Sequence, residues 1–214
     1  MDLKRLTIKE FDKAAQQFDN DNISVYNICR NDYPHILKEI DKQDWYSVLD
    51  AGCGTGAVIE LLEQKYPDKH YTGIDISSKM IEVAKKKNIA NATFVQGDCE
   101  ELPFLDNSFD VVICSQSFHH YTRPQMFFNS VSRVLKPNGR LILRDMTTAN
   151  PALLWFFNYI EMPLINHIAH KGDVHVYNRR EIEILCKNSG MALTKYENHR
   201  WFRMHCVCTA IKQN

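Results

Sequence analysis

From residue 45 the chain alternates short apolar runs with longer stretches whose apolar positions recur at helical spacing. Five runs, at 45–49, 70–74, 93–96, 109–114 and 140–145, read as strands. The fourth is apolar throughout apart from Asp110, the pattern of a strand buried on both faces. Between them, Val58, Ile59, Leu61 and Leu62 lie near one helical face and Glu60, Glu63 and Lys65 near the other. A second helix starts after Ser77, a plausible N-cap, and ends near Asn88, with Lys85, Lys86 and Lys87 suiting the negative end of its dipole. A third starts near Pro124 and stops at Leu135-Lys136-Pro137-Asn138-Gly139. Strands that alternate with helices imply a largely parallel sheet with helices on both faces.

The flanks follow other rules. Before residue 45, Phe11, Ala15 and Phe18 form one helical stripe, Ile23, Tyr26 and Cys29 a second, and Ile36, Leu37 and Ile40 a third behind Pro34. These helices have no place in the alternation and are expected to cover the sheet's edge or a cleft, with Tyr26 a candidate site contact. Residues 147–176 break the alternation with Trp155, Phe156, Phe157, Tyr159 and Met162 between Pro151 and Pro163. The expectation is an aromatic lid over a cleft at the strands' C-terminal ends. A helix at 178–188 with a Ser189-Gly190 stop, then strands at about 192–197 and 204–211, complete the chain.

The chemistry concentrates where the first strand ends. Asp50-Ala51-Gly52-Cys53-Gly54-Thr55-Gly56 puts a carboxylate and three alternate glycines before a helix. Glycines admit positive φ and let a ligand approach the backbone, and the helix start offers unpaired N–H groups. The spacing D-x-G-x-G-x-G differs from the dinucleotide fingerprint G-x-G-x-x-G. The second strand ends in Asp75, which can accept both hydroxyls of a ribose, and the third leads to Gly97-Asp98-Cys99-Glu100.

These segments resemble the class I S-adenosylmethionine (SAM) methyltransferases over residues 45–146. Arg133-Val134-Leu135-Lys136-Pro137-Asn138-Gly139-Arg140-Leu141-Ile142-Leu143 closely resembles their ubiquinone/menaquinone-biosynthesis group. The resemblance implies a Rossmann-like, doubly wound seven-stranded sheet, mostly parallel with an antiparallel last strand. It implies SAM as cofactor and S-adenosylhomocysteine as product. By position, Asp50, Gly52, Cys53, Gly54 and Gly56 would hold the methionine end, Asp75 the ribose, and Asp98 the adenine amine beside Cys99 and Glu100. Ile76 and Met80 would pack on the adenosine, with Ser115 and Gln116 near the sulfonium. His119 and His120, just past the fourth strand, are the candidates for a general base, since histidine titrates near neutral pH.

Composition narrows the acceptor. Twenty-six basic residues balance 26 acidic ones in 214, without the basic excess usual for a nucleic-acid partner. Ser115-Gln116-Ser117-Phe118 stands where amino-methylating nucleic-acid enzymes carry an acid or Asn with two prolines and an aromatic. A small-molecule acceptor is therefore expected. Seven scattered cysteines without a C-x-x-C pair argue against a zinc or disulfide framework. His167, His170 and His175 with Asp173 read as surface or lid residues, so no metal is expected. No signal peptide or spanning run is recognised, which points to a soluble cytoplasmic protein. The expected layout is one domain: a helical cap (1–44), a cofactor core (45–146), a lid insertion (147–177), and a closing helix and hairpin (178–214). Two rivals stay open, a non-catalytic SAM-binding protein and a nicotinamide-dependent oxidoreductase.

Overall fold

The five apolar runs fold as adjacent parallel strands: β1 (Ser47–Ala51), β2 (His70–Asp75), β3 (Ala92–Gln96), β4 (Phe109–Ser115) and β5 (Leu135–Met146). The structure is a computed structural model that describes residues 2–19, 29–199 and 202–211. A hairpin of β6 (Met191–His199) and β7 (Arg203–Ala210) completes a seven-stranded sheet in the order β3-β2-β1-β4-β5-β7-β6. β7 runs antiparallel to both neighbours. The strand order reverses between β1 and β4, the switch point where open α/β sheets place their ligands.

Helices cover both faces because each carries one apolar stripe. On one side α2 (Tyr33–Ile40), α3 (Ala57–Lys65) and α4 (Ser78–Lys86) bury Ile36, Ile40, Ile59, Leu62 and Ala84 against Val48 and Val111. On the other, α5 (Pro124–Val134) and α8 (Arg179–Asn188) bury Phe127, Phe128, Val131 and Ile182 against Leu141 and Leu143. Local chemistry sets the ends. Ser77 caps α4 by accepting from the Met80 N–H, and Asn178 with Glu181 forms a capping box on α8. α1 (Leu3–Ala14) lies outside these layers, and α6 (Pro151–Phe156), a π turn (Phe157–Glu161) and α7 (Met162–Ile168) follow one another after β5. No helix among the described residues is long and apolar enough to cross a membrane.

Several expectations shift. β5 starts at Leu135, not Arg140, because Leu135 pairs with Phe109 before a register shift, and Asn138 takes φ 61° in the turn. The stripe before β1 is helical only through α1; Ala15 and Phe18 belong to the turn after it. Tyr26 and Ile23 lie outside the described residues. The largest difference concerns the expected lid. Trp155, Phe156 and Tyr159 are exposed, as are Leu153, Ile160 and Leu164. Helical periodicity is there, but Met162 and Asn166 are the residues of α7 that the body buries.

Candidate active site

A cavity with about 920 Å³ of empty volume, part of it open to solvent, lies at the C-terminal ends of β1, β2 and β4. Its floor is the glycine turn. Gly52, Gly54 and Gly56 have φ of 81°, 51° and 77°, a region where a Cβ is strained. Gly52 also has no room for one, because the Ser117 Oγ would lie 2.1 Å away. The Gly52 and Cys53 N–H groups donate to the Ile74 carbonyl at 2.8 and 3.0 Å, tying the turn to β2.

Of the expected cofactor residues, Asp50, Gly52, Cys53, Gly54, Asp75, Ile76, Met80, Asp98, Cys99, Glu100, Ser115 and Gln116 all line this cavity. Gly56 does not. It is the left-handed residue that starts α3, and a Cβ there would meet the Phe94 ring at 2.8 Å, so its glycine serves packing. Gln116 stands at φ 52° and turns its amide away to donate to Asp32 Oδ2 at 2.6 Å. Asp32 in turn accepts from the buried Arg144.

The acids differ sharply in charge state. Asp50 is buried, and its Oδ2 has no hydrogen-bond partner. Burial, and then the neighbouring Asp75, push its carboxyl up to about 7. Asp75 accepts from the Ser77 and Gly54 N–H groups at 2.8 and 2.9 Å. Burial still raises it to about 6, with those bonds pulling the other way. Glu100 is fully buried, which alone would raise it, but bonds from Lys4 and Arg123 hold it down at about 2. Asp98 caps the turn Cys99–Glu101 by accepting from the Glu100 N–H, and its second oxygen takes Lys4 at 2.7 Å.

Lys4 is part of the roof, which the helices before β1 supply by covering the cleft, one of the two placements expected of them. α1 closes the cavity with Lys4, Thr7 and Phe11; among the described residues, none of 147–177 lines it. Lys4 reaches Asp98 and Glu100, and the Ser77 hydroxyl donates to Asp12 Oδ1 at 2.6 Å. The Thr7 hydroxyl donates to the Gly172 carbonyl at 3.1 Å, and Lys171 pairs with Glu10. Tyr33, Val58 and Tyr121 also line the cavity and were not foreseen. The only signal for the roof was that helices preceding β1 had no partner in the alternation.

The two histidines part company. His120 lines the cavity, its ring edge-on to Phe11 at 5.2 Å between centroids; His119 does not line it. Both belong to the short turn Phe118–His120. His119 Nδ1 lies 2.6 Å from Asp145 Oδ1, and the His119 backbone N–H donates to Asp145 Oδ2 at 3.1 Å. Burial would lower His119, but the Asp145 carboxylate outweighs it and the net shift is upward. Burial and then His119 push His120 down to about 3. Among the described residues, the group whose atoms could meet at a metal is His119, His120 and Asp173. His167 and His170, grouped with Asp173 in the sequence, are exposed.

The cavity fits the cofactor that the sequence implies. A buried and a half-buried carboxyl, both raised by desolvation, the first with an orphaned oxygen, and an orphaned Ser115 Oγ wait for polar and cationic partners. SAM carries an ammonium and a sulfonium. A dinucleotide would instead bring its pyrophosphate to the turn beside Asp50, an anion against an acid.

Comparisons with known proteins agree. Residues 49–143 match the family model described as a methyltransferase domain. The chain is 29% identical to the demethylmenaquinone methyltransferase of Thermotoga maritima over 188 residues, covering 85% of this chain and 81% of that protein. It is 40% identical to the fatty-acid O-methyltransferase of Mycolicibacterium smegmatis over 99 residues, 46% of this chain but only 36% of the relative. A crystal structure of a SAM-dependent methyltransferase from Aquifex aeolicus superposes with a TM-score of 0.65 at 18% identity, covering 99% of this chain and all of the other.

Proposed function

We propose that this chain, which belongs to the class I SAM-dependent methyltransferases and resembles their ubiquinone/menaquinone-biosynthesis group, methylates a small, largely apolar acceptor by in-line displacement. The observation that carries the reading is the pairing of an acidic floor with an apolar wall in one cavity. Asp50, Asp75 and Asp98 lie at successive strand ends, and Phe11, Phe18, Tyr33 and Val58 share the same space. A quinone precursor and a fatty acid in the names of two relatives support an apolar acceptor. The seven cysteines are free and buried, which supports a reducing compartment such as the cytoplasm.

When bound, SAM supplies an electrophilic methyl on a sulfonium. The chain's residues bind, orient and exclude water. In this reading Asp50 with the turn Gly52-Cys53-Gly54 holds the methionine end. Asp75 keeps acceptor capacity for the ribose beyond its two backbone bonds. Asp98, with the backbone of Cys99 and Glu100, edges the adenine, and Ile76 and Met80 flank the adenosine. The Glu100 carboxylate is taken up by Lys4, Thr122 and Arg123, so that side chain fixes the turn and roof. Ser115 and the backbone of Gln116 would lie near the sulfonium end, the Gln116 amide being held by Asp32. Burial and His119 push the His120 imidazole down to about 3, a weak base, and His119, paired with Asp145, does not line the cavity, so this reading assigns neither as general base. Catalysis in this reading rests on positioning.

The test is calorimetric titration of the purified chain with SAM, S-adenosylhomocysteine and NAD, followed by methyl transfer from labelled SAM to quinone precursors and fatty acids. Binding of the first two without NAD, and label in an apolar product, are the expected results. SAM binding without transfer to any acceptor would favour a sensor or scaffold, and NAD binding alone would overturn the reading.

A further inference from the structure

The helical segment after β5 is inside out. α6, the π turn and α7 keep helical dihedral angles across their junctions from Pro151 to Ile168, so they form one rod about 27 Å long. A surface helix ordinarily turns its apolar stripe to the body and its polar side to water. Here the body grips polar side chains. Asn158 donates to the Val176 carbonyl at 3.0 Å and accepts from the Val176 N–H at 2.7 Å. Asn166 donates to the Asp173 carbonyl at 2.6 Å, and Met162, between the two in sequence, is buried. Trp155, Tyr159, Leu164 and Ile168 keep between 54% and 68% of their surface exposed, and Leu153, Phe156 and Ile160 are exposed as well. Phe202, exposed in the turn before β7, extends the patch through its edge contact with Phe157 at 5.9 Å between centroids.

Aromatic side chains present about 150–250 Å² each and aliphatic ones somewhat less, so these exposures leave about 700–800 Å² of apolar surface. Monomeric proteins rarely expose more than about 300–600 Å² in one patch. A standard interface takes about 800 Å² from each partner, so this patch is of the size that a stable dimer buries on each side.

The charge pattern selects the occupant. A twofold axis lays a patch against its own copy, where any net charge would meet like charge. No Lys, Arg, Asp or Glu stands at an exposed position between 151 and 170, and Glu161, the carboxylate of this segment, is half-buried. Helices that lie on a lipid surface carry Lys and Arg along their polar face, and residues 151–170 contain neither. Tyr, Trp and Phe are enriched at the centres of protein interfaces, where charges are depleted. Trp155 and Tyr159 supply such an anchor, already stacked on each other.

We propose that this face is the interface of a symmetric dimer, in which the helix of α6, the π turn and α7 packs against the same helix of a second copy of this chain. Trp155, Tyr159, Leu164 and Ile168 form its buried centre, and Phe202 adds to its edge. None of these residues lines the cavity, so the pairing does not depend on the methyl-transfer reading.

The experiment is sedimentation velocity of the full-length chain without SAM, from about 1 to 100 µM. Twice the 25.0 kDa chain, about 50 kDa, is the mass expected at the upper end of that range. Trp155→Glu and Leu164→Glu each set a charge against its own copy and should weaken self-association at least about 100-fold. Leu105→Glu, on an exposed position elsewhere, should dimerise like wild type. All three positions are exposed and outside the cavity, so circular dichroism and SAM affinity should match wild type in each. Loss of the dimer with SAM binding retained supports the interface alone. A wild type that stays monomeric at about 100 µM would overturn the proposal, as would a dimer that both interface variants retain. Monomeric wild type that sediments with phosphatidylcholine–phosphatidylglycerol vesicles, with Trp155→Glu left in solution, would overturn it in favour of a lipid surface.

Discussion

Replacing Asp50 by Asn should stabilise the free protein while destroying its use of the cofactor. The carboxyl is 2% exposed, has an orphaned oxygen, and titrates at about 7 against an ordinary 3.8. Ionising a carboxyl displaced that far costs the folded chain about 4 kcal/mol at alkaline pH. An Asn in the same place ionises nothing but leaves a buried N–H group unpaired, costing about 1–3 kcal/mol. The net gain at pH 8 is therefore about 1–3 kcal/mol, or about 2–10 °C in Tm for a domain of this size. Because the folded chain holds this proton to higher pH than the unfolded chain does, the contribution to stability is full below about pH 4. It is lost as pH rises to about 7. The advantage of Asn should accordingly shrink by about 2 kcal/mol at pH 5.5.

Thermal unfolding by circular dichroism at both pH values, with and without SAM, measures all of this. SAM at 100 times its Kd should stabilise wild type by about 2.7 kcal/mol and the variant hardly at all. A cationic ligand needs the ionised acid, so wild-type affinity for SAM should fall as pH drops through about 7 and 6. A variant no more stable than wild type at pH 8, or equally advantaged at both pH values, would show that Asp50 is not a strained acid awaiting a cation.

Asp75→Ala should remove most SAM affinity and leave the chain folded, since its carboxylate serves the turn and the ligand, not the core; calorimetry at wild-type affinity would refute the assignment. Lys4→Met should cost only about 1 kcal/mol, because the lysine is partly exposed and Arg123 still holds Glu100. It should nevertheless speed SAM release measured by stopped flow, by loosening α1 over the cavity, and an unchanged off-rate would detach the roof from cofactor retention.

The alternation of strands and helices was legible because its signals are local: buried runs, an N-cap at Ser77, and a stop at Ser189-Gly190. The acids at strand ends were legible for the same reason, since a parallel sheet brings successive strand ends together without further information. The roof was not. Lys4 meets partners 94 and 96 residues away and Thr7 one 165 away, and no spacing in the chain encodes such contacts. Gly56 shows a second limit, since it does not line the cavity. A motif glycine can answer to the Phe94 ring behind it instead of the ligand in front. The aromatic stretch misled because helical periodicity reports that one face is apolar, not what covers it. Trp155 and Tyr159 stack on each other, 5.9 Å between centroids, in the exposed part of that helix.

The segment that was expected to supply a lid instead supplies a latch. Gly172 sits against α1 so closely that a Cβ would fall 1.9 Å from the Thr7 hydroxyl, and its carbonyl accepts from that hydroxyl. Lys171 on one side pairs with Glu10 of the same helix. On the other side Asp173 faces His119 and His120, and Val174 and His175 donate to the His119 carbonyl. Five consecutive residues thus tie the helix over the cavity to the histidine pair beside it. The Thr7–Gly172 contact is one of the restraints on the residue before Asp173. The contacts of α1 and of the histidine pair thus meet in one short stretch of backbone.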